Sequence, residues 1–183
     1  MTTKLPVGLL IIPCILPLLS SPACGRKIIT GRVVDGETAE PIEKAAVYIY
    51  WGKSGSGPPG LAANSVEVEI VEVSTDAWGR FEIPKYSTLF KHYRLAVYKK
   101  GYICWSSEKI FPTFEERTGF RLKDGVVIKL ERFKGEYSRE AHANFTLIWS
   151  LGSRGLFDDA IKSEREIRRE FIKKSKKKRE ETR

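Results

Sequence analysis

Histidine and cysteine are scarce in this chain. His92 and His142 are its two histidines, and Cys14, Cys24 and Cys104 its three cysteines. No HExxH pair or cysteine-rich spacing occurs, so the ligand set of a zinc site is missing. The phosphate-cradling loop is missing too. "WGKSGSG" holds Gly-Lys-Ser, but the earlier glycine such a loop needs would fall on Val47. A nucleophile elbow over the same stretch would need glycine at Ser56. Helical periodicity is absent before about residue 138, which excludes an architecture of alternating strands and helices. These gaps lead to an expectation of no catalytic residue, no metal and no cofactor.

An excess of negative charge is lacking as well. With 32 Lys+Arg against 23 Asp+Glu the formal net charge is +9, which suits a polyanionic partner or surface.

The first residues, "MTTKLPVGLLIIPCILPLLSSPACGRK", read as an export segment over residues 1–24. Lys4 is a short positive start, Leu5 to Leu19 is largely apolar, and Ser21 and Ala23 fit the small residues of a cleavage site. An uncleaved membrane anchor is the alternative. Pro6, Pro13 and Pro17 oppose a spanning helix, and Arg26 and Lys27 oppose an outward C-terminus. Cys24 directly follows the cut, which resembles a bacterial lipoprotein signal, although Ser21 stands where leucine is usual. Lipidation of Cys24 and simple cleavage both remain open. A free Cys24 in an oxidising compartment would be available to pair with Cys104. The apolar surroundings in "GYICWSS" instead suggest a buried, inert Cys104.

Residues 27–133 read as short strands with turn signals between them. "KIITGRVVD", "AAVYIYW", "SVEVEIVEV", "WGRFEIP", "YRLAVYKKGY" and "GVVIKLERF" are rich in β-branched and aromatic residues. In "SVEVEIVEV" the apolar phase shifts from Val66, Val68 and Ile70 to Val71 and Val73, which suggests a bulge. Its glutamates read as a solvent face. The Gly/Ser/Pro-rich stretch from Gly52 to Asn64 reads as an irregular loop. Residues from about Ser106 to Gly125 carry no clear period.

The order of these segments is specific. "TGRVVDGETAEPIEKAAVYIYW", then "STDAWGRFEIP", then "YRLAVYKKGY" resembles the carboxypeptidase regulatory-like domain family, of transthyretin-like type. The residues that carry the resemblance include Gly31, Val33, Asp35, Pro41, Thr75, Asp76, Gly79, Phe81, Gly101 and Tyr102. It implies a mainly β protein, an antiparallel β-sandwich, and a role in folding or interaction. Asp35-Gly36 and Asp76 to Gly79 are structural turns on this reading. Gly36 supplies a positive φ if the first turn needs it, Thr75 and Asp76 bond back to nearby amides, and Gly79 relieves the tight bend.

Residues 136–183 change to helical spacing. Ser138 is an N-cap, Ala141, Phe145, Ile148 and Trp149 form one face, and Gly152 is a stop. A second helix from Leu156 carries Phe157, Ala160, Ile161, Ile167 and Phe171, and the charged end is expected to fray. Lys173, Lys174, Lys176, Lys177, Lys178 and Arg179 are candidate contacts to an anionic surface. Trp51, Trp78 and Trp105 are candidate ligand contacts, by stacking on sugars. Taken together these features describe an exported envelope protein, anchored to a membrane through its N-terminal segment or soluble in the periplasm. Its expected work is binding or scaffolding on an envelope protein or polysaccharide, with no nucleic-acid partner. The alternative is a carbohydrate-binding module.

Overall fold

The computed structural model describes residues 28–52, 68–85, 92–150, 152–153 and 155–181. The export segment with Cys24 and most of the Gly52–Asn64 loop lie outside them.

Among the described residues seven strands form two sheets. The first sheet has the order β4(Arg80–Pro84), β1(Ile28–Asp35), β7(Val126–Leu130). The second has the order β3(Val68–Ser74), β2(Ala46–Gly52), β5(His92–Tyr98), β6(Trp105–Ser106). All pairs are antiparallel except β1 with β7, which run parallel. That pair departs from a purely antiparallel sandwich. Parallel neighbours need a long crossover, and here the whole second sheet lies between the two strands.

Each strand reads from its pattern of exposure. β1, β4 and β7 alternate buried and exposed residues, because one face meets the core and the other meets water. β2 is buried almost throughout. Its run "AVYIYWG" therefore needs no alternation, since both faces are covered. On one face Val47, Ile49 and Trp51 join Val33, Phe81, Ile83, Leu95, Val97 and Ile128 between the sheets. On the other, Ala46 and Tyr48 join Ala96, Tyr98, Cys104, Phe145, Trp149, Phe157 and Ile161 beneath the helices. Each fully buried large apolar side chain contributes about 1.5–3 kcal/mol.

The same two-sided burial explains β3. It pairs with β2 residue for residue from Ala46↔Ser74 to Gly52↔Val68, so the expected bulge is absent. Val71 and Val73 face the sandwich core and Ile70 faces the helices. The phase shift in sequence marks a strand with two apolar faces.

The helices α1(Arg139–Ile148), α2(Leu156–Ala160) and α3(Lys162–Glu181) form a third layer. Ser138 Oγ accepts the Ala141 N–H at 3.2 Å and caps α1. That helix ends at Ile148, before Gly152. The second helical stretch is broken at Ile161 into α2 and α3, and α3 runs to Glu181 where fraying was expected. Residues 107–125 close the open side of the sandwich without a regular strand, sending Phe111 to the helix-side core and Phe120 and Leu122 to the inter-sheet core.

Candidate functional site

The two expected turn aspartates are both engaged by backbone. Asp35 Oδ1 accepts the N–H groups of Glu37 at 2.9 Å and Thr38 at 3.0 Å. Its Oδ2 takes the Tyr102 hydroxyl at 2.9 Å and Arg132 Nε at 2.7 Å. The Thr38 and Glu37 amides, helped by Tyr102 and Arg132, hold this carboxyl far below the usual range even though it is buried. Gly36 does not use a positive φ. Its amide donates to Leu130 O at 2.8 Å, and a Cβ there would sit 3.0 Å from that oxygen. Close approach, not left-handed backbone, is what its glycine permits.

Asp76 Oδ1 accepts Trp78 N–H at 2.9 Å and Arg80 N–H at 2.7 Å. Gly79 has φ +72°, and a Cβ there would fall 2.3 Å from Val33 O. Thr75, just before Asp76, accepts Ala45 N–H at 2.8 Å and donates to Ile42 O at 2.7 Å. Asp76 thus shapes a turn.

The candidate tryptophans separate. Trp51 is 7% exposed and Trp105 is 9% exposed, so both belong to the sandwich core and neither stands out from the surface as a stacking platform. Trp51 lies on a strand covered on both sides, and Trp105 is covered by Phe120 at 4.8 Å and by the Arg117 guanidinium at 4.7 Å. Trp78 is 62% exposed at the β3–β4 turn. Lys173, Lys174, Lys176, Lys177, Lys178 and Arg179 are exposed along the last turns of α3.

One cluster was not foreseen. Tyr98 donates its hydroxyl to Glu164 Oε1 at 2.8 Å, and Glu164 Oε2 lies 3.4 Å from His142 Nδ1. His142 Nε2 accepts the Cys104 N–H at 3.0 Å, so the ring proton sits on Nδ1, facing Glu164. Burial pushes Glu164 up, but the hydrogen bonds from His142 and Tyr98 outweigh it and hold the carboxyl below its ordinary value. Burial pushes the Cys104 thiol up to about 12. A thiol so protonated is a poor nucleophile, and His142 meets its amide, not its sulfur. The cluster ties α1 and α3 to β5 and leaves Cys104 a free, buried residue. Glu72, expected on a solvent face, accepts Phe157 N–H at 2.8 Å near the start of α2. Neither role is visible in sequence, because the partners lie 66 and 85 residues away.

Two open cavities flank this cluster. One of about 420 Å³ lies between β7 and residues 103–120, with Trp105, Arg117, Phe120 and Lys129 in its walls. The other, about 360 Å³, lies beside α3 and includes Lys100, Arg139, His142 and Glu164. Among the described residues no group of three or more His, Cys, Asp or Glu side chains is arranged to hold a metal ion. No helix among them is long and apolar enough to cross a membrane.

No family model matches the chain. No curated protein matches it either. Among solved structures it is similar to the 3-chlorocatechol 1,2-dioxygenase of Rhodococcus opacus 1CP, with 14% identity, TM-score 0.36, 58% of this chain and 59% of that one covered. A streptococcal ancillary pilin gives 18% identity and TM-score 0.31, over 58% of this chain and 29% of the pilin. The C-terminal domain of the shaft pilin SpaA from Lactobacillus rhamnosus GG gives 14% identity and TM-score 0.33, over 58% of this chain and 97% of that domain. The chain thus spans less than two thirds of the first two proteins. At such scores the likenesses carry no function across, and enzymes and pilins stand side by side among them.

Proposed function

We propose that this chain is a non-catalytic binding or scaffolding module of the cell envelope, exported by its first 24 residues, with a body of the carboxypeptidase regulatory-like type. The observation that carries this reading is where the reactive side chains are spent. Asp35 and Asp76 bond to turn amides, Glu164 and His142 clamp helices to a sheet, and the Cys104 thiol is buried and protonated. Positive charge lies outside, on exposed arginines and on the exposed lysines of α3. Anchoring occurs through Cys24, and the basic end of α3 gives a second contact to an anionic surface, at about 1 kcal/mol per basic residue.

The test is the intact mass of the protein from native membrane fractions, beside a Cys24→Ser variant. A lipid-modified N-terminal Cys24, lost together with membrane retention in the variant, supports an anchored envelope protein. An uncut chain in the cytosol refutes export. The reading as a carbohydrate module through three tryptophans narrows to Trp78, because Trp51 and Trp105 are in the core.

A further inference from the structure

The outer face of the first sheet carries two opposed arginines that no ion pair among the described residues neutralises. Arg32 on β1 stands directly opposite Arg80 on β4. Like charges directly opposed across strands cost stability. Among the described residues neither arginine has an ion-pair partner; Arg32 Nε donates instead to Trp78 O at 2.9 Å. The Arg80 guanidinium lies 5.9 Å from the Trp78 ring centroid. The two guanidiniums and the exposed indole therefore form one cluster.

The cluster is held in place. Asp76 fixes the Trp78 and Arg80 amides, Gly79 supplies the tight bend, and β1–β4 pairing fixes Arg32. Nearby carboxylates offset it only in part. Asp76 serves the turn, and Asp124 is taken by the Thr30 amide and hydroxyl at 2.9 Å and 2.7 Å. Glu82, on the same face, stands opposite Thr30. Across the sheet Arg32 is level with Val127 on β7, and the exposed Lys129 follows on the same strand. The positive face thus continues toward the cavity that holds Arg117.

From this juxtaposition we infer that the Trp78–Arg80–Arg32 face binds an acidic polysaccharide. Guanidinium forks match carboxylates with two parallel hydrogen bonds. An exposed indole offers a flat apolar surface to the ring of a sugar. A polymer that alternates a ring with a carboxylate supplies both partners in one repeat, and the shallow sheet face accepts an extended strand. The inference rests on the reading of the chain as an envelope binding module, and names its ligand class.

Binding of the purified full chain to polygalacturonate is measured by tryptophan fluorescence and calorimetry, with dextran and a single-stranded oligonucleotide alongside. Polygalacturonate is expected to bind, more weakly as salt rises, and dextran not to bind. Arg32→Gln/Arg80→Gln is expected to lower affinity about tenfold or more, and Trp78→Ala to lower it further. Removing opposed like charges leaves the fold intact, which circular dichroism checks. Lys176→Gln/Lys177→Gln/Lys178→Gln, on the helix tail, is expected to bind as the parent does. Equal binding of dextran overturns the inference. So does tighter binding of the oligonucleotide through the same arginines, loss confined to the tail variant, or absence of binding at low salt. Those results leave export untouched, since membrane fractionation reads that separately.

Discussion

Replacing Glu164 tests whether the helical layer is part of the fold or an appendage. The carboxylate accepts from two buried donors, the Tyr98 hydroxyl at 2.8 Å and the His142 Nδ1–H at 3.4 Å. Glu164→Ala leaves both without an acceptor. A buried polar group left unpaired costs about 1–3 kcal/mol. The cavity of about 360 Å³ beside Glu164 admits water to part of the site, which places the expected loss at the lower end of the sum. The expected cost is thus about 2–4 kcal/mol, a large share of the roughly 5–15 kcal/mol of a whole domain. Tyr98→Phe removes one donor and leaves the other bond in place, for about 1–2 kcal/mol. The double variant should cost less than the sum of the two, because the Tyr98–Glu164 bond is counted in both. Urea unfolding followed by tryptophan fluorescence reads these numbers, since Trp149 is buried in the helix-side core. The pH dependence has a definite sign. The Glu164 carboxyl lies below its ordinary value of 4.5 in the folded protein, so its contribution is complete above about pH 4.5 and is lost as pH falls through the lowered folded value. A cost below about 1 kcal/mol for Glu164→Ala, or strict additivity with Tyr98→Phe, would refute the clamp.

Further outcomes follow from other positions. Gly79→Ala should destabilise by more than about 1 kcal/mol in thermal unfolding, because φ is +72° and the new Cβ meets Val33 O. Asp35→Asn should flatten the acid side of the stability profile below about pH 3.8, where the parent loses the contribution of its ionised carboxyl; parallel profiles would contradict this. Cys104 should resist thiol reagents in the native protein at pH 8 and react on denaturation, as peptide mapping will show, since its thiol is buried and raised to about 12. Trp51→Ala should unfold or severely weaken the chain, by about 3–5 kcal/mol, whereas Trp78→Ala should change stability by less than about 0.5 kcal/mol.

Much of the body was legible because strand physics is local. Alternation in "KIITGRVVD" and "GVVIKL" marks strands with one wet face, and the Asp-containing turns read from their own residues. The Ser138 cap and the burial of Phe145 and Trp149 were legible for the same reason. Ile148, read on that face, and Phe171, read on the stripe of the second stretch, are exposed, because the helices meet the sheet on one side only. The misread features depend on what covers a residue. The phase shift in "VEVEIVEV" looked like a bulge, but helices cover the far side of β3, so both of its faces are apolar. Trp51 and Trp105 looked available beside polar loops, yet β2 is sealed on both faces and Arg117 and Phe120 close over Trp105.

The sequence by itself determined the β body, the positions of its turns, the helical C-terminus and the surplus of positive charge. Periodicity, backbone preference and composition act over a few residues, and no partner from afar is needed to read them. Tertiary structure alone decided that the helices form a third layer on one sheet, that Tyr98, Glu164 and His142 meet beneath it, and that Arg32 and Arg80 stand opposed beside an exposed Trp78. Those meetings join residues between 22 and 66 positions apart where a hydrogen bond or an ion pair links them, and strand register and helix docking, not local preference, set which side chains face one another.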